Sequence, residues 1–214
     1  MSATTTAPRR TAWHRVRHLA RRAWRAELGI WRSLGRFALR RPRVPEGSTA
    51  FPYHRLVQPI LIAFIVVSAI EVVVVDLLVH RWPPVRIPLL AVGIWGLTWM
   101  TGLWLAYLTR PHAVGPAGIS VRHGTEVDVT IPWDSVHSVA VRKDVVEGRA
   151  PRVTDDIDGG GRTLHLRMQH ETNIELRLDV AIPVELGAGT VEVETVRLYT
   201  DEPRAFLEAA RPFM

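Results

Sequence analysis

With 214 residues the chain can hold one or two modest domains, and several large folded units are excluded. Its formal charge of +6 is unevenly spread: residues 1–55 hold thirteen arginines against Glu27 and Glu46, while residues 109–214 hold twelve basic and seventeen acidic side chains. The basicity therefore belongs to an N-terminal segment, which removes most support for a nucleic-acid-binding protein, and the absence of cysteine excludes a disulfide framework and thiol chemistry.

Residues 1–12, rich in Thr and Ala, are expected to be disordered. Residues 13–41 predict a basic amphipathic helix. Trp13, Val16, Ala20, Trp24, Leu28, Trp31, Leu34 and Ala38 cluster on one side of the wheel, with His14, His18 and a set of arginines opposite. That combination describes an interfacial helix lying on an anionic leaflet, where each arginine contributes about 1 kcal/mol. Arg21, Arg22, Arg25, Arg32, Arg36 and Arg40 are the expected lipid contacts. A nucleic-acid arm is the competing reading, and the nearby apolar spans favour lipid. Residues 42–55 contain Pro42, Pro45, Gly47 and Pro52 and read as a linker.

Residues 56–108 read as a transmembrane hairpin. Residues 56–79 and 87–108 are long apolar runs whose only charged residues are Glu71 and Asp76 in the first. At about 1.5 Å per residue each can cross a hydrocarbon core roughly 30 Å thick. The connection HRWPPVR suits a tight turn. The first run lies too far along the chain and is too long for a signal peptide. Arginines flank the first span at Arg40, Arg41, Arg43 and Arg55, against Arg81 and Arg86 in the turn. The positive-inside rule then places both termini in the cytoplasm of a multi-pass inner-membrane protein.

Polar residues within the spans are costly and need partners. Asp76 and His80, spaced i, i+4, are expected to meet at the outer interface. Glu71, near the midplane, is expected either as a neutral acid hydrogen-bonded to Thr98 or Thr101, or as a site for a proton, an ion or a polar partner helix. Thr98, Gly102 and Ala106 form a small-residue stripe that lets a helix approach closely, the first span or a second copy in a homo-oligomer.

After residue 108 the pattern changes to period-two alternation. Ile119–Val121, Val127–Ile131, 135–141, Leu164–Met168, Ile174–Leu178 and 191–199 read as half-buried strands of a mainly antiparallel sheet. Asp201-Glu202-Pro203 then starts a helix whose apolar face holds Phe206, Leu207 and Ala210. The expected class is an α+β membrane protein whose C-terminal domain, residues 112–214, is an antiparallel β sandwich or open barrel capped by one helix.

The run GISVRHGTEVDVTIPWDSVHSVAVRK (118–143) is similar to the opening of bacterial pleckstrin-homology-like (PH-like) domains, and VRLYTDEPRAFLEAA (196–210) resembles their last strand and capping helix. With the helix pair and the Arg110-Pro111-His112 exit, the chain resembles actinobacterial membrane proteins that carry such a domain. The resemblance implies a scaffold for membrane-proximal assembly and no catalytic set. Inositide-binding members carry a basic cluster in the first hairpin. Here Arg122 and His123 face Glu126 and Asp128, so inositide binding is not expected.

No nucleotide loop, HExxH or GxSxG occurs. The run from Asp155 to Gly161 has aspartates and glycines but lacks EF-hand spacing and its terminal glutamate, so it reads as a solvated loop. His165 and His170 read as surface residues without a third ligand. The expectation is a non-enzymatic adaptor with no cofactor and no metal, binding anionic lipid and a protein partner. The alternative is a subunit of a transport or envelope-processing complex that uses Glu71.

Overall fold

The computed structural model describes residues 44–214 except 125, 146, 149, 156–160 and 188. The predicted amphipathic helix, its six lipid-contacting arginines and most of the 155–161 loop lie outside the described residues.

The chain is α+β. Among the described residues it has three α-helices and two sheets, of four and five strands. Strand β1 (Thr49–Phe51) comes first, inside the segment read as a linker. Helices α1 (Gln58–Val79) and α2 (Pro83–Thr109) follow, both long and apolar enough to cross a membrane. Then come β2 (His112–Gly115), β3 (Gly118–His123) and β4 (Val127–Ile131), which complete a sheet of order β1-β2-β3-β4. The helix pair is therefore an insertion between two neighbouring strands, since Phe51 pairs with His112 across it.

The second sheet contains β5 (Val136–Val145), β6 (Arg152–Asp155), β7 (Arg162–Leu166), β8 (Glu171–Leu186) and β9 (Gly189–Leu198), in the order β5-β8-β9-β7-β6. Its pairs are antiparallel except β7 with β9, which run parallel. Helix α3 (Pro203–Ala210) ends the fold, with Phe206 and Ala210 buried. Inward residues of both sheets share one core with this helix: Ile119, Val121 and Ile131 from the first, Leu164, Ile174, Leu176, Val196 and Leu198 from the second. Phe206 packs edge-on against Phe51 of β1, ring centroids 5.1 Å apart.

Several local readings change. Pro83 and Pro84, assigned to the turn, open α2 instead, because proline's fixed φ and missing N–H suit a helix's first turn. The helix start read at Asp201 falls at Pro203, with Glu202 as N-cap residue and no side-chain cap bond. The Asp201 carboxylate accepts the Arg55 N–H. Trp133 of the IPW-D motif donates its indole N–H to the Gly115 carbonyl at 2.8 Å and stacks on Phe213, tying the first sheet to the C-terminus. Gly118 sits at φ +124 and a Cβ there would strike the Ile131 carbonyl, so the β2–β3 turn requires glycine.

Candidate functional site

Three places combine polar groups with a cavity or a junction. The first is the helix pair. Half-buried residues on α1 recur at Leu61, Ile65, Ser68, Val72, Val75 and Val79, and on α2 at Arg86, Leu90, Gly93, Leu97, Met100 and Trp104. This alternating three- and four-residue spacing is the seam of an antiparallel helix pair. Ser68 Oγ reaches Met100 Sδ across it at 3.7 Å. Gly93 lets α1 approach, since a Cβ there would lie 2.7 Å from Val72 Cγ2. Of the small-residue stripe, Gly102 and Ala106 are buried and Thr98 is half-buried, with the seam running beside Thr98 rather than through it.

The expected Asp76–His80 pair is not formed. Asp76 takes a two-pronged ion pair from Arg86 of the facing helix, Nε to Oδ1 at 2.6 Å and Nη2 to Oδ2 at 2.9 Å. The planar guanidinium matches a carboxylate better than an imidazole does. His80 Nδ1 instead lies 2.8 Å from the Leu77 carbonyl. Nor do Thr98 and Thr101 serve Glu71, because each hydroxyl donates to its own helix, to the Ile94 and Leu97 carbonyls. Glu71 is exposed and lines a groove of about 310 Å³ between the helices, with Ser68, Gly93, Gly96 and Asp76.

The second place is the junction between helices and sheets. Tyr53 is fully buried against Tyr107, His112 and His123, and its hydroxyl accepts the Gly124 N–H at 3.0 Å. Burial raises its pKa well above that of an ordinary phenol. His112 Nδ1 accepts the Arg122 N–H, so Nε2 carries the hydrogen and donates to the Tyr199 carbonyl at 3.1 Å. Burial pushes its pKa down to about 3, and that of His123 to about 4. Both connections of the helix pair are pinned here. The Pro52 carbonyl accepts from the Asp201 N–H and the Thr200 hydroxyl, and Arg55 pairs with Glu202. On the exit side, Arg122 donates to the Pro111 carbonyl and pairs with Asp128 across β3–β4.

The third place is the outer face of the five-stranded sheet. One row crosses all its strands in register: Ala140, Glu175, Arg197, His165 and Arg152. Glu175, only 5% exposed, receives Arg142, Arg177 and Arg197 at 2.9–3.1 Å. Burial opposes its ionisation, but Arg197, Arg142 and Arg177 together outweigh it and hold its pKa below the usual range. Asp144 is bound by Arg197 at 3.1 Å. His165, read as a surface residue, is buried, while His170 is exposed. A shallow pocket of about 410 Å³ lies beside this row, lined by His137, Arg177, Asp179 and Glu194 among others. Arg177 lies two residues from Glu175 on the same strand, but Arg142 and Arg197 come from other strands, so spacing could reveal only the first partner. The usable signal was charge at successive outward positions of several strands.

Among the described residues no group of three or more His, Cys, Asp or Glu side chains is placed to hold a metal ion. The chain matches no protein-family model, no curated protein and no solved structure.

Proposed function

We propose that this chain is a two-span inner-membrane protein that holds its β domain against the cytoplasmic leaflet as a non-catalytic platform for protein assembly. One observation carries the reading: the helix pair is inserted between β1 and β2, and both of its connections are pinned to the domain. A domain on a flexible tether samples many orientations, whereas this one has a single orientation relative to its spans. That suits a platform that meets partners in the membrane plane. The resemblance of residues 118–143 and 196–210 to PH-like domains supports it, as do the arginine excess before the first span and the N-terminal arm suited to an anionic leaflet.

Topology reporters fused after His80 and at the C-terminus test the geometry. The turn is expected outside and the C-terminus inside, and a periplasmic C-terminus would sink the proposal. A second reading, a subunit of a transport or envelope-processing complex, is favoured by Glu71 lining the interhelical groove. Glu71→Gln separates the two: assembly tolerates a neutral hydrogen-bonding group, whereas proton or ion handling is lost.

A further inference from the structure

Arginines crowd one end of the outer sheet face. Among the described residues the ion pairs of Arg142, Arg177 and Arg197 go to two carboxylates, Glu175 and Asp144, with Arg152 and Arg167 close by, in a C-terminal region that is acidic overall. Both carboxylates are already engaged, Glu175 by three arginines and Asp144 by Arg197. Two buried donors are left over. Arg167 is 5% exposed, and its Nη1 has no hydrogen-bond partner. His165 is equally buried, and its Nδ1 is also without one.

Arg152 and Arg167 approach the same residue. A Cβ at Gly148 would sit 3.4 Å from Nη1 of both Arg152 and Arg167, so both guanidinium tips come close to Gly148. Gly148 has φ +135, a conformation only glycine adopts readily. His165 stands in register with Arg152 on the neighbouring strand. Its Nε2 lies 2.9 Å from Thr154 Oγ1. With the threonine hydroxyl donating there, Nδ1 carries the hydrogen and becomes a third donor. Burial and the adjacent Arg167 and Arg197 keep this imidazole neutral, its pKa pushed to about 4. Buried charged donors without acceptors are costly, and a tetrahedral oxyanion matches guanidinium forks.

We propose that Arg152, His165 and Arg167, beside Gly148, form a binding site for a phosphoryl group. Arg152 is exposed and marks the entrance. The group can come from a soluble phosphate ester or from a lipid headgroup. Register puts the site at the helix-side end of the sheet. Arg197, beside His165, is four residues before Asp201, which holds Arg55, a span of about 13 Å of extended chain.

The test uses the full chain, in detergent and in nanodiscs. Inorganic phosphate in detergent is expected to raise Tm saturably if soluble phosphate is bound. A rise confined to nanodiscs containing phosphatidic acid, absent with phosphatidylcholine alone, assigns the site to a headgroup. Arg152→Gln, at an exposed position, is expected to weaken either effect about tenfold, as loss of one charge-assisted hydrogen bond does. Arg167→Lys, which keeps the charge and loses the fork, does the same where it folds. Arg162→Gln, on the same sheet but paired with Asp155, leaves binding unchanged. No saturable shift with either probe, or equal losses in Arg152→Gln and Arg162→Gln, overturns the site. The detergent arm does not depend on how the helices sit in a membrane, so its failure is distinct from failure of the platform reading.

Discussion

The helix pair and the β domain are built from the same apolar residue types and treat them in opposite ways. No residue of α1 is buried, and Leu78 is 77% exposed, whereas Ile119, Ile131, Leu164 and Leu198 are fully buried. Period-two alternation gives a strand one apolar face, which a partner sheet covers. An unbroken apolar run has no polar face, and the outward residues of both helices are left uncovered by the domain, as suits helices long and apolar enough to cross a membrane. Charged groups follow the same division. The pair Asp76–Arg86 sits at the turn end of the helices, while the domain encloses Glu175 among three arginines.

Acid should split the two regions most widely. His112 is held neutral, with a folded pKa of about 3 against an ordinary 6.5. As pH falls the unfolded chain takes up this proton first. The stability contribution is therefore complete above pH 6.5 and is lost as pH drops toward 3, on the order of 5 kcal/mol over the window. His123 and His165, both pushed to about 4, act in the same direction. Near-UV circular dichroism against pH should show the β domain losing packing before helical signal is lost. Simultaneous loss would mean that the regions unfold as one unit. Phe206→Ala should come next, at about 3–5 kcal/mol, because it empties a fully buried site against Phe51. A fall in Tm with unchanged helix content is the expected result.

The sequence makes the helix pair and the larger strands legible because their periods are long enough to count. β1 and β6 hold three and four residues, too few for any period, so Thr49–Phe51 reads as linker. The parallel pairing of β7 with β9 depends on contacts between distant stretches and leaves no local mark. For the candidate site, Asp76 was legible as an acid in need of a partner. Its partner was not, since the i, i+4 neighbour His80 loses to a guanidinium that reaches across the turn. His165 alternates like an outward strand residue, and it does face outward. Its burial among arginines of other strands is a property of the assembled sheet.

Where the two regions meet, Tyr53→Phe isolates one hydrogen bond and keeps the ring stack. The Gly124 N–H then loses its acceptor in a buried place, at a cost of about 1–3 kcal/mol. Faster hydrogen exchange at Gly124, with other β3 and β4 amides less affected, is the expected outcome. An unchanged rate would show that water reaches this amide and that the junction is looser than the packing of Tyr53 implies.

The smallest effect is expected inside the helix pair, where two glycines one turn apart act differently. Alanine at Gly93 would press its Cβ on Val72 Cγ2 at 2.7 Å, and a β-branched valine in a helix has little rotamer freedom to yield. Overpacking costs about 1–3 kcal/mol, offset by roughly 1 kcal/mol of improved helix propensity, which leaves about 1 kcal/mol net. At Gly96 nothing lies within 4 Å of the added Cβ, so Gly96→Ala is neutral or slightly stabilising. Unfolding by increasing mole fraction of sodium dodecyl sulfate, followed by helix-to-helix energy transfer, reads both variants on one scale. Equal behaviour would mean that Val72 does not face Gly93, and the seam from Leu61 to Val79 would have to be redrawn around the groove that holds Glu71.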